Sequence, residues 1–339
     1  MPENFDRPTV FTHLSAPPTL CIIIDTEEEF DWSKPFSRAN TATTSIPAQH
    51  IAHQRIYDKL GIVPTYVIDW PVATTPAAWQ SLKALRDEGR CEIGTHLHPW
   101  VTPPHTEEVN TFNSYTGNLP PELELEKLRA LTQAITDNFQ NPPTIFKAGR
   151  YGLGPKTFEA LAHLGYQVDA SIVPHTSFKA DGGPDFRGYT NTPFWFGPAE
   201  SPLLELPVTT GYCGFMRKAG NTLYEALQTP WAKTLRLGGI AARTGALERI
   251  RLSPEGCEAQ DLMRLMKTLV QDDTRVLTLT YHSPSLVPGH TPYVRTATQL
   301  EAFLQTIEQA CVYFKEVLGG RFVGVGALRN KMLQTSLKT

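Results

Sequence analysis

Short apolar runs alternate with longer stretches whose apolar residues recur at helical spacing along almost the whole chain. The first run, LCIII at residues 20–24, is too short for a helix and ends in the acidic segment DTEEEFDW at residues 25–32. Its continuous apolar character is typical of a strand that is buried on both faces, as in a parallel sheet. The alternation therefore predicts an α/β fold in which a mostly parallel sheet or barrel is covered by helices.

The same pattern predicts where the other elements lie. Seven further strands are expected at residues 62–69, 91–95, 144–148, 167–172, 203–208, 275–281 and 321–325. Six helices are expected at residues 47–60, 76–88, 121–139, 156–164, 259–270 and 296–318. Residues 175–202 are rich in glycine, proline and aromatic residues without a helical period, which predicts a long ordered loop. Because no linker-like tract interrupts the sequence, we expect an N-terminal arm at residues 1–18 and a single domain over residues 19–339.

Composition and charge narrow the classes of function. The 339 residues carry 31 Lys and Arg against 34 Asp and Glu, a net charge of −3, which excludes a nucleic-acid binder driven by bulk charge. Five scattered cysteines without a C-x-x-C pair favour a reducing compartment over a disulfide scaffold. The N-terminal sequence has no leader pattern and no apolar run reaches the ~18 residues of a membrane span, so a cytoplasmic protein is expected.

Polar side chains follow most of the predicted strands directly. In parallel α/β architectures, ligands bind where the carboxyl ends of the strands meet. The residues expected at that edge are Asp25, Glu27, His96, His98, Lys147, Arg150, Asp169, Ser171, Glu205 and His282. Carboxylates and imidazoles that converge in this way are what metal-assisted hydrolysis requires, since some hold a divalent ion and others act as base and acid.

Each candidate also has a purely structural interpretation. Asp25 and Asp169 are each placed where a carboxylate often caps a helix. His96 and His98 lie two residues apart, which puts both imidazoles on one face of an extended segment, yet such pairs also arise by chance. The structural interpretation of His282 is a buried histidine that is bonded to the backbone.

The acidic segment after the first strand offers several carboxylates. Only Glu27 shares the strand face of Asp25 if the extended geometry continues, so Glu28 and Glu29 are expected to be solvated charges. Arg150 is expected either to stabilise the edge by pairing with a carboxylate or, beside Asp25, to keep that carboxylate ionised.

Read in order, six segments resemble the NodB-type polysaccharide deacetylase superfamily, and more closely its WalW-like branch. They are IIIDTEEEFDW (22–32), EIGTHLHPWVTPP (92–104), FKAGRYG (146–152), YQVDASIVP (166–174), LLELPVT (203–209) and TLTYHSPSLVPGHTPYV (278–294). The resemblance implies a deformed (β/α) barrel with fewer than eight strands and a divalent metal, often zinc, at its mouth. The activity that it implies is the removal of N- or O-acetyl groups from glycans.

The resemblance also implies roles for individual residues. Asp25 occupies the place of the base that deprotonates water, and Arg150 that of the residue which orients this base. His282 looks like the general acid, and Asp169 like the carboxylate that tunes it. These roles agree with the chemistry of amide and ester hydrolysis, in which an acid protonates the departing group.

The sequence departs from the superfamily pattern at the metal site. Typical members carry adjacent aspartates in the first motif, whereas Thr26 follows Asp25 here, and Glu27 is the substitute candidate for the ligand. Typical members also place two histidines four residues apart, whereas His96 and His98 are two apart. The metal site is therefore either rebuilt from Glu27, His96 and His98 or partly lost.

The expected function is that of a hydrolase acting on carbon–nitrogen bonds other than peptide bonds. It would remove an acetyl group from a sugar or surface-polysaccharide precursor with the help of a divalent metal, zinc being the first expectation. Two alternatives remain open at this stage: a catalytically silent barrel that binds a glycan or partner at the same mouth, and a hydrolase of another amide. Metal content separates the first hypothesis from the silent barrel.

Overall fold

A computed structural model describes residues 17–197 and 201–336, so nearly all of the predicted N-terminal arm lies outside the described residues. The strands are β1 (Thr19–Thr26), β2 (Thr65–Ile68), β3 (Glu92–Leu97), β4 (Ile145–Ala148), β5 (Val168–Asp169), β6 (Phe194–Phe196), β7 (Leu203–Glu205), β8 (Thr210–Cys213), β9 (Glu248–Arg251), β10 (Val276–His282) and β11 (Arg321–Phe322). The helices are α1 (Gln49–Ala52), α2 (Asp58–Leu60), α3 (Trp70–Thr74), α4 (Pro76–Asp87), α5 (Pro121–Phe139), α6 (Thr157–His163), α7 (Gly220–Leu227), α8 (Pro230–Thr234), α9 (Leu237–Arg243), α10 (Ala259–Gln271), α11 (Ala297–Glu316) and α12 (Val325–Ser336).

The main sheet is a curled, open barrel. Its strands pair in the order β10-β1-β2-β3-β4-β5-β7-β6, and β11 pairs with the start of β1. The seven strands from β10 to β7 are parallel, and β6 closes the edge antiparallel to β7. The expected deformed (β/α) barrel is therefore confirmed, but its sheet contains nine strands rather than fewer than eight, because β11 also pairs in parallel with β1.

The two faces of β1 are buried in different ways. Leu20, Ile22 and Ile24 belong to the large core between the sheet and the surrounding helices. Cys21 and Ile23 point to the inside of the barrel. Because side chains alternate between faces, the next inward position after Ile23 is Asp25, at the carboxyl end of the strand.

The inside of the barrel is filled from the end opposite Asp25. Val325, Leu328 and Met332 of α12 join Cys21 and Ile23 in one apolar cluster with the inward residues of the other parallel strands. At the other end, where the strands finish, the inward positions are occupied by Asp25, His96 and His282.

The structure differs from the sequence-based expectations in several segments; β6 lies within the loop expected at residues 175–202, and neither α3 nor α12 is expected from the pattern. Two further differences are larger. The helix expected at residues 47–60 is divided into α1, a π-helical turn (His53–Tyr57) and α2, which ends at Gly61 with a left-handed φ of 70°. Between residues 209 and 258, where the pattern predicts no element, the chain forms the β8–β9 hairpin and helices α7 to α9. These helices are short, and only one residue in α7 and one in α8 are buried, so they leave a weak periodic signal.

Candidate metal centre

Three predicted ligands meet at the carboxyl ends of β1 and β3. His96 lies on the inward face of β3 and His98 directly follows the strand. The Nε2 atoms of the two rings are 3.6 and 3.4 Å from Oε2 of Glu27. The three side chains each offer one ligand atom, and these atoms all lie within 4.8 Å of one another. Each residue is 2% exposed, so the cluster is closed to bulk solvent on most sides.

The donor set fits a divalent cation. The Nδ1 atom of His96 lies 2.9 Å from the carbonyl oxygen of Lys147, and Nδ1 of His98 lies 2.7 Å from Oε2 of Glu28. These contacts leave both Nε2 atoms facing Glu27, as in metal sites whose histidines are oriented by a second group. Oε1 of Glu27 is buried without a hydrogen-bond partner among the described residues. A cation between these groups would satisfy it.

The protonation states also suit a metal site. Burial lowers the pKa of His96, and it lowers the pKa of His98 to about 4, so both rings are neutral near neutral pH. Neutral imidazoles are the form that binds metal ions.

Glu28 is not the solvated charge that the sequence pattern predicts. Its carboxylate is fully buried and accepts a 2.7 Å hydrogen bond from Nε1 of Trp100, besides its contact with His98. Its amide donates to Asp69 at 2.6 Å. Strict alternation ends after β1, so the consecutive residues Glu27 and Glu28 are both buried. Glu28 therefore supports His98, and burial raises the pKa of Glu28 to about 8.

A glycine allows the His98 ring to sit where it does. A Cβ atom on Gly149 would lie 2.3 Å from Cδ2 of His98 and 2.5 Å from the carbonyl oxygen of Leu97. The residue after β4 must therefore lack a side chain for the ring to keep this position.

Asp25 pairs with a buried lysine rather than with Arg150. Nζ of Lys147 donates to both carboxylate oxygens of Asp25, at 2.5 and 2.7 Å, and to Oγ1 of Thr280 at 3.0 Å. Burial acts to raise the pKa of Asp25, but the Lys147 ammonium together with His96 and His282 lowers it below its ordinary value. Asp25 is therefore ionised, which is the state in which a carboxylate can accept a proton.

His282 lies on the other side of Asp25. Its Nε2 atom is 3.8 Å from Oδ2 of Asp25, and its Nδ1 atom is 2.7 Å from Oε2 of Glu255. Burial acts to lower the pKa of His282, but Glu255, Glu27 and Asp25 outweigh it and raise the pKa well above the ordinary value. The protonated ring that results is suited to donate a proton.

Two residues that the resemblance assigns to the acid–base machinery have other partners: neither Arg150 nor Asp169 forms a hydrogen bond or ion pair with Asp25 or His282 among the described residues. Arg150 has a left-handed φ of 52° and reaches the rim of the cavity, where its guanidinium lies 4.2 Å from the centre of the Tyr115 ring and bonds Ser114 at 2.6 Å. Asp169 lies between Val168 and Ala170, which point into the barrel, so its own side chain points outward. The structure thus places Lys147 beside Asp25, and Glu255 beside His282.

Asp169 instead faces Glu205, its partner in register on β7. Both side chains are fully buried. Oδ2 of Asp169 and Oε2 of Glu205 receive no hydrogen bond from another described residue, so a proton shared between the two carboxyls satisfies both. Burial raises the pKa of Asp169 to about 6 and that of Glu205 well above its ordinary value.

This pair predicts a pH-dependent stability. Because the folded-state pKa values are raised, the pair stabilises the fold fully only below the ordinary carboxyl pKa, and the contribution is lost as pH rises through the folded-state values. We expect Glu205→Gln to gain stability relative to the wild type as pH rises from 5 to 8, by up to about 1.4 kcal/mol per pH unit. Urea unfolding at several pH values measures this, with Glu159→Gln on the surface as the control. A stability difference that is independent of pH would contradict the shared proton.

The cluster of Glu27, His96 and His98 opens into one cavity of about 360 Å³ together with Asp25 and His282. Its walls are rich in aromatic rings, namely Phe30, Trp32, Phe36, Trp100, Tyr115, Tyr151, Phe178 and Tyr293. The Trp32 ring meets His282 edge to face, with centroids 4.9 Å apart, and meets Tyr293 at 5.9 Å. Polar groups therefore form the bottom of the cavity, and aromatic side chains surround its opening.

Structural comparison places this fold among known ones, whereas no protein-family model and no curated protein sequence matches the chain. A protein from Mycobacterium smegmatis described as a polysaccharide deacetylase superposes with a TM-score of 0.55 at 12% identity, over 97% of this chain and 94% of its own. Puue allantoinase superposes with a TM-score of 0.52 at 13% identity, over 96% of this chain and 97% of its own. A 4-alpha-glucanotransferase from Thermococcus litoralis has a TM-score of 0.50 at 11% identity, over 92% of this chain and 40% of its own. The fold is that of the polysaccharide deacetylases, as the sequence motifs predict.

Among the described helices, none combines the length and the apolar character needed to cross a bilayer.

Proposed function

From the polysaccharide-deacetylase fold and the groups gathered at its mouth, we propose that this chain is a metal-dependent hydrolase that removes an acetyl group from a sugar or surface-polysaccharide precursor. One observation carries the proposal. A cluster of Glu27, His96 and His98 that fits a cation lies in the same cavity as a carboxylate and an imidazole of opposite protonation state, Asp25 and His282. This is the set of groups that metal-assisted hydrolysis needs.

Glu27, His96 and His98 would hold the divalent ion. Two imidazole nitrogens and one carboxylate oxygen form a ligand set that zinc accepts in catalytic sites. When bound there, the ion would polarise the acetyl carbonyl and lower the pKa of water.

The chain's own residues would carry the proton transfers. Asp25, held by Lys147, accepts a proton from the water that attacks the acetyl carbon. His282, held by Glu255, donates a proton to the nitrogen or oxygen of the sugar as its bond to that carbon breaks. The products are acetic acid and the free amine or hydroxyl, so Asp25 takes up one proton and His282 gives one back.

The mouth of the cavity suits a sugar. Trp32 and Tyr293 are each 38% exposed beside His282, and aromatic faces of this kind cover the apolar side of a sugar ring.

The five cysteines remain free thiols, which supports a reducing compartment such as the cytoplasm.

Metal content tests the proposal. We expect the purified protein to bind one divalent transition-metal ion per chain and His98→Ala to lose most of that binding, because the variant lacks one of three protein ligands. The measurement is metal stoichiometry after dialysis against zinc. His105→Ala is the matched control, because His105 is exposed in the loop that follows His98. This variant should bind metal as the wild type does. A chain that holds no metal but binds glycan would instead favour the silent barrel.

Hydrolysis of another amide is a second candidate. The fold likeness extends with similar coverage to a protein named as an allantoinase, and the acid–base pair would serve any amide that the cavity admits. A panel of acetylated sugars and small amides, assayed with the zinc-loaded protein, separates these substrate classes.

A further inference from the structure

The segment between β8 and β9, residues 214–246, has a surface that differs from the rest of the chain. It contains α7, α8 and α9, which contact one another. Of its residues, only Gly220 and Ala232 are buried. The segment therefore has almost no core of its own, although its sequence is not especially polar. We call it the β8–β9 excursion.

Large apolar side chains are exposed on the β8–β9 excursion. Five of the eleven exposed large hydrophobic residues in the described part of the chain lie there: Phe215 (76%), Met216 (41%), Trp231 (61%), Leu235 (59%) and Ile240 (52%). Because the excursion is only about a tenth of the sequence, this concentration is far above an even distribution. Clustered apolar exposure on a protein surface marks a site of interaction.

The same segment is strongly basic. It carries five basic residues, Arg217, Lys218, Lys233, Arg236 and Arg243, against a single acidic one, Glu225. Its net charge is therefore +4, whereas the whole chain has −3 and the remainder has −7. Glu225 is itself paired, to Arg187, and Arg217 is paired to Asp272. The other four basic residues form no ion pair with any residue that the structure describes.

We propose that the β8–β9 excursion docks on the surface of a membrane that carries anionic lipid headgroups. Exposed apolar residues, an exposed tryptophan and unpaired basic residues within one short segment are the features of interfacial membrane binding. The basic side chains would meet the anionic headgroups, and Trp231 and Leu235 would enter the boundary between headgroups and acyl chains. Helices of eight, five and seven residues are too short to go deeper.

The position of the excursion brings the membrane close to the catalytic mouth. Tyr224 and Lys233 of the excursion line a neighbouring cavity together with Ala180. Phe178 and Asp181, in the same short loop as Ala180, line the cavity that contains Asp25. One loop thus separates the docking surface from the proposed active site. The docking itself does not depend on the proposed hydrolysis, because it is measured without a substrate.

Vesicle sedimentation tests the proposal with the full chain. We expect binding to vesicles of phosphatidylcholine mixed with phosphatidylglycerol, little binding to phosphatidylcholine alone, and a loss of binding as salt rises. Lys218→Glu/Arg236→Glu and Trp231→Ser/Leu235→Ser should each lower the affinity at least about tenfold. The exposed changes Lys315→Glu and Val317→Ser on and next to α11 are the controls and should leave binding unchanged. Thermal unfolding of each variant verifies that it is folded.

Two results would overturn the proposal. One is the absence of binding to the anionic vesicles at low salt, or equal binding by all variants. The other is a concentration-dependent dimer in sedimentation velocity that Trp231→Ser/Leu235→Ser dissolves, with no vesicle binding by the wild type. That second result would assign the surface to another copy of this chain.

Discussion

Replacing Asp25 by asparagine is expected to lower turnover by about 10²–10⁴-fold while metal binding persists, because an amide cannot accept the proton of the attacking water. Asparagine keeps an oxygen that can accept from Lys147, so the variant should fold, with a lower melting temperature. Release of acetate from a chromogenic aryl acetate by the zinc-loaded protein measures the loss.

Asp181→Asn is the matched control for this experiment. Asp181 also lines the cavity, but its side chain is 57% exposed and pairs with Arg150 at the rim. We expect this variant to retain nearly full turnover. Wild-type turnover in Asp25→Asn would remove Asp25 from the role of base, and loss of metal in that variant would make it a ligand instead.

Replacing Lys147 by methionine is expected to destabilise the fold by about 3–5 kcal/mol, because a buried carboxylate loses the cation that compensates it. Lys147 is fully buried, and its ammonium contacts both oxygens of Asp25. Urea unfolding at neutral pH measures the change. The exposed pair of Lys156 and Glu159 provides the control, since Lys156→Met should alter stability by less than about 0.5 kcal/mol.

A double variant separates the charge pair from the general packing at this site. Lys147→Met/Asp25→Asn leaves neither charge buried without a partner, so it should be more stable than Lys147→Met alone. If the double variant is as unstable as the sum of the two single changes, the ion pair is not the source of the effect.

The strand pattern predicts the positions of the site better than the roles of its residues. Asp25, His96 and His282 are found at the inward carboxyl ends of parallel strands, as the apolar runs before them indicate. The fold and the assembly of these groups follow from two regularities, the alternation of strands with helices and the common edge of a parallel sheet.

The sequence pattern does not predict the position of Arg150, the contact of Glu255 with His282 or the burial of Glu28. Arg150 is displaced from Asp25 by a left-handed turn directly after β4, which nothing in FKAGRYG requires. Glu255 precedes His282 by 27 residues and does not follow a strand of the main parallel sheet. Only the tertiary fold brings the two residues together. Glu28 shows no sign of burial in its sequence, because its partners come from other strands and loops.

For Asp169, the sequence shows which neighbours lie on the opposite face of the strand. Counting alternate positions from the apolar residues of VDASIV puts Val168 and Ala170 on one face and Asp169 on the other. What the sequence leaves undecided is which face points inward, since both faces of the strand are buried and apolar neighbours occur on each.

Helix α12, which fills one end of the barrel, limits the routes by which a ligand can reach the cavity. Val325, Leu328 and Met332 occupy the interior below Asp25, so among the described residues the cavity above Asp25 does not continue through the barrel. If the proposed hydrolysis takes place in this cavity, a product that stays bound would block the next substrate molecule, so product inhibition should accompany tight substrate binding.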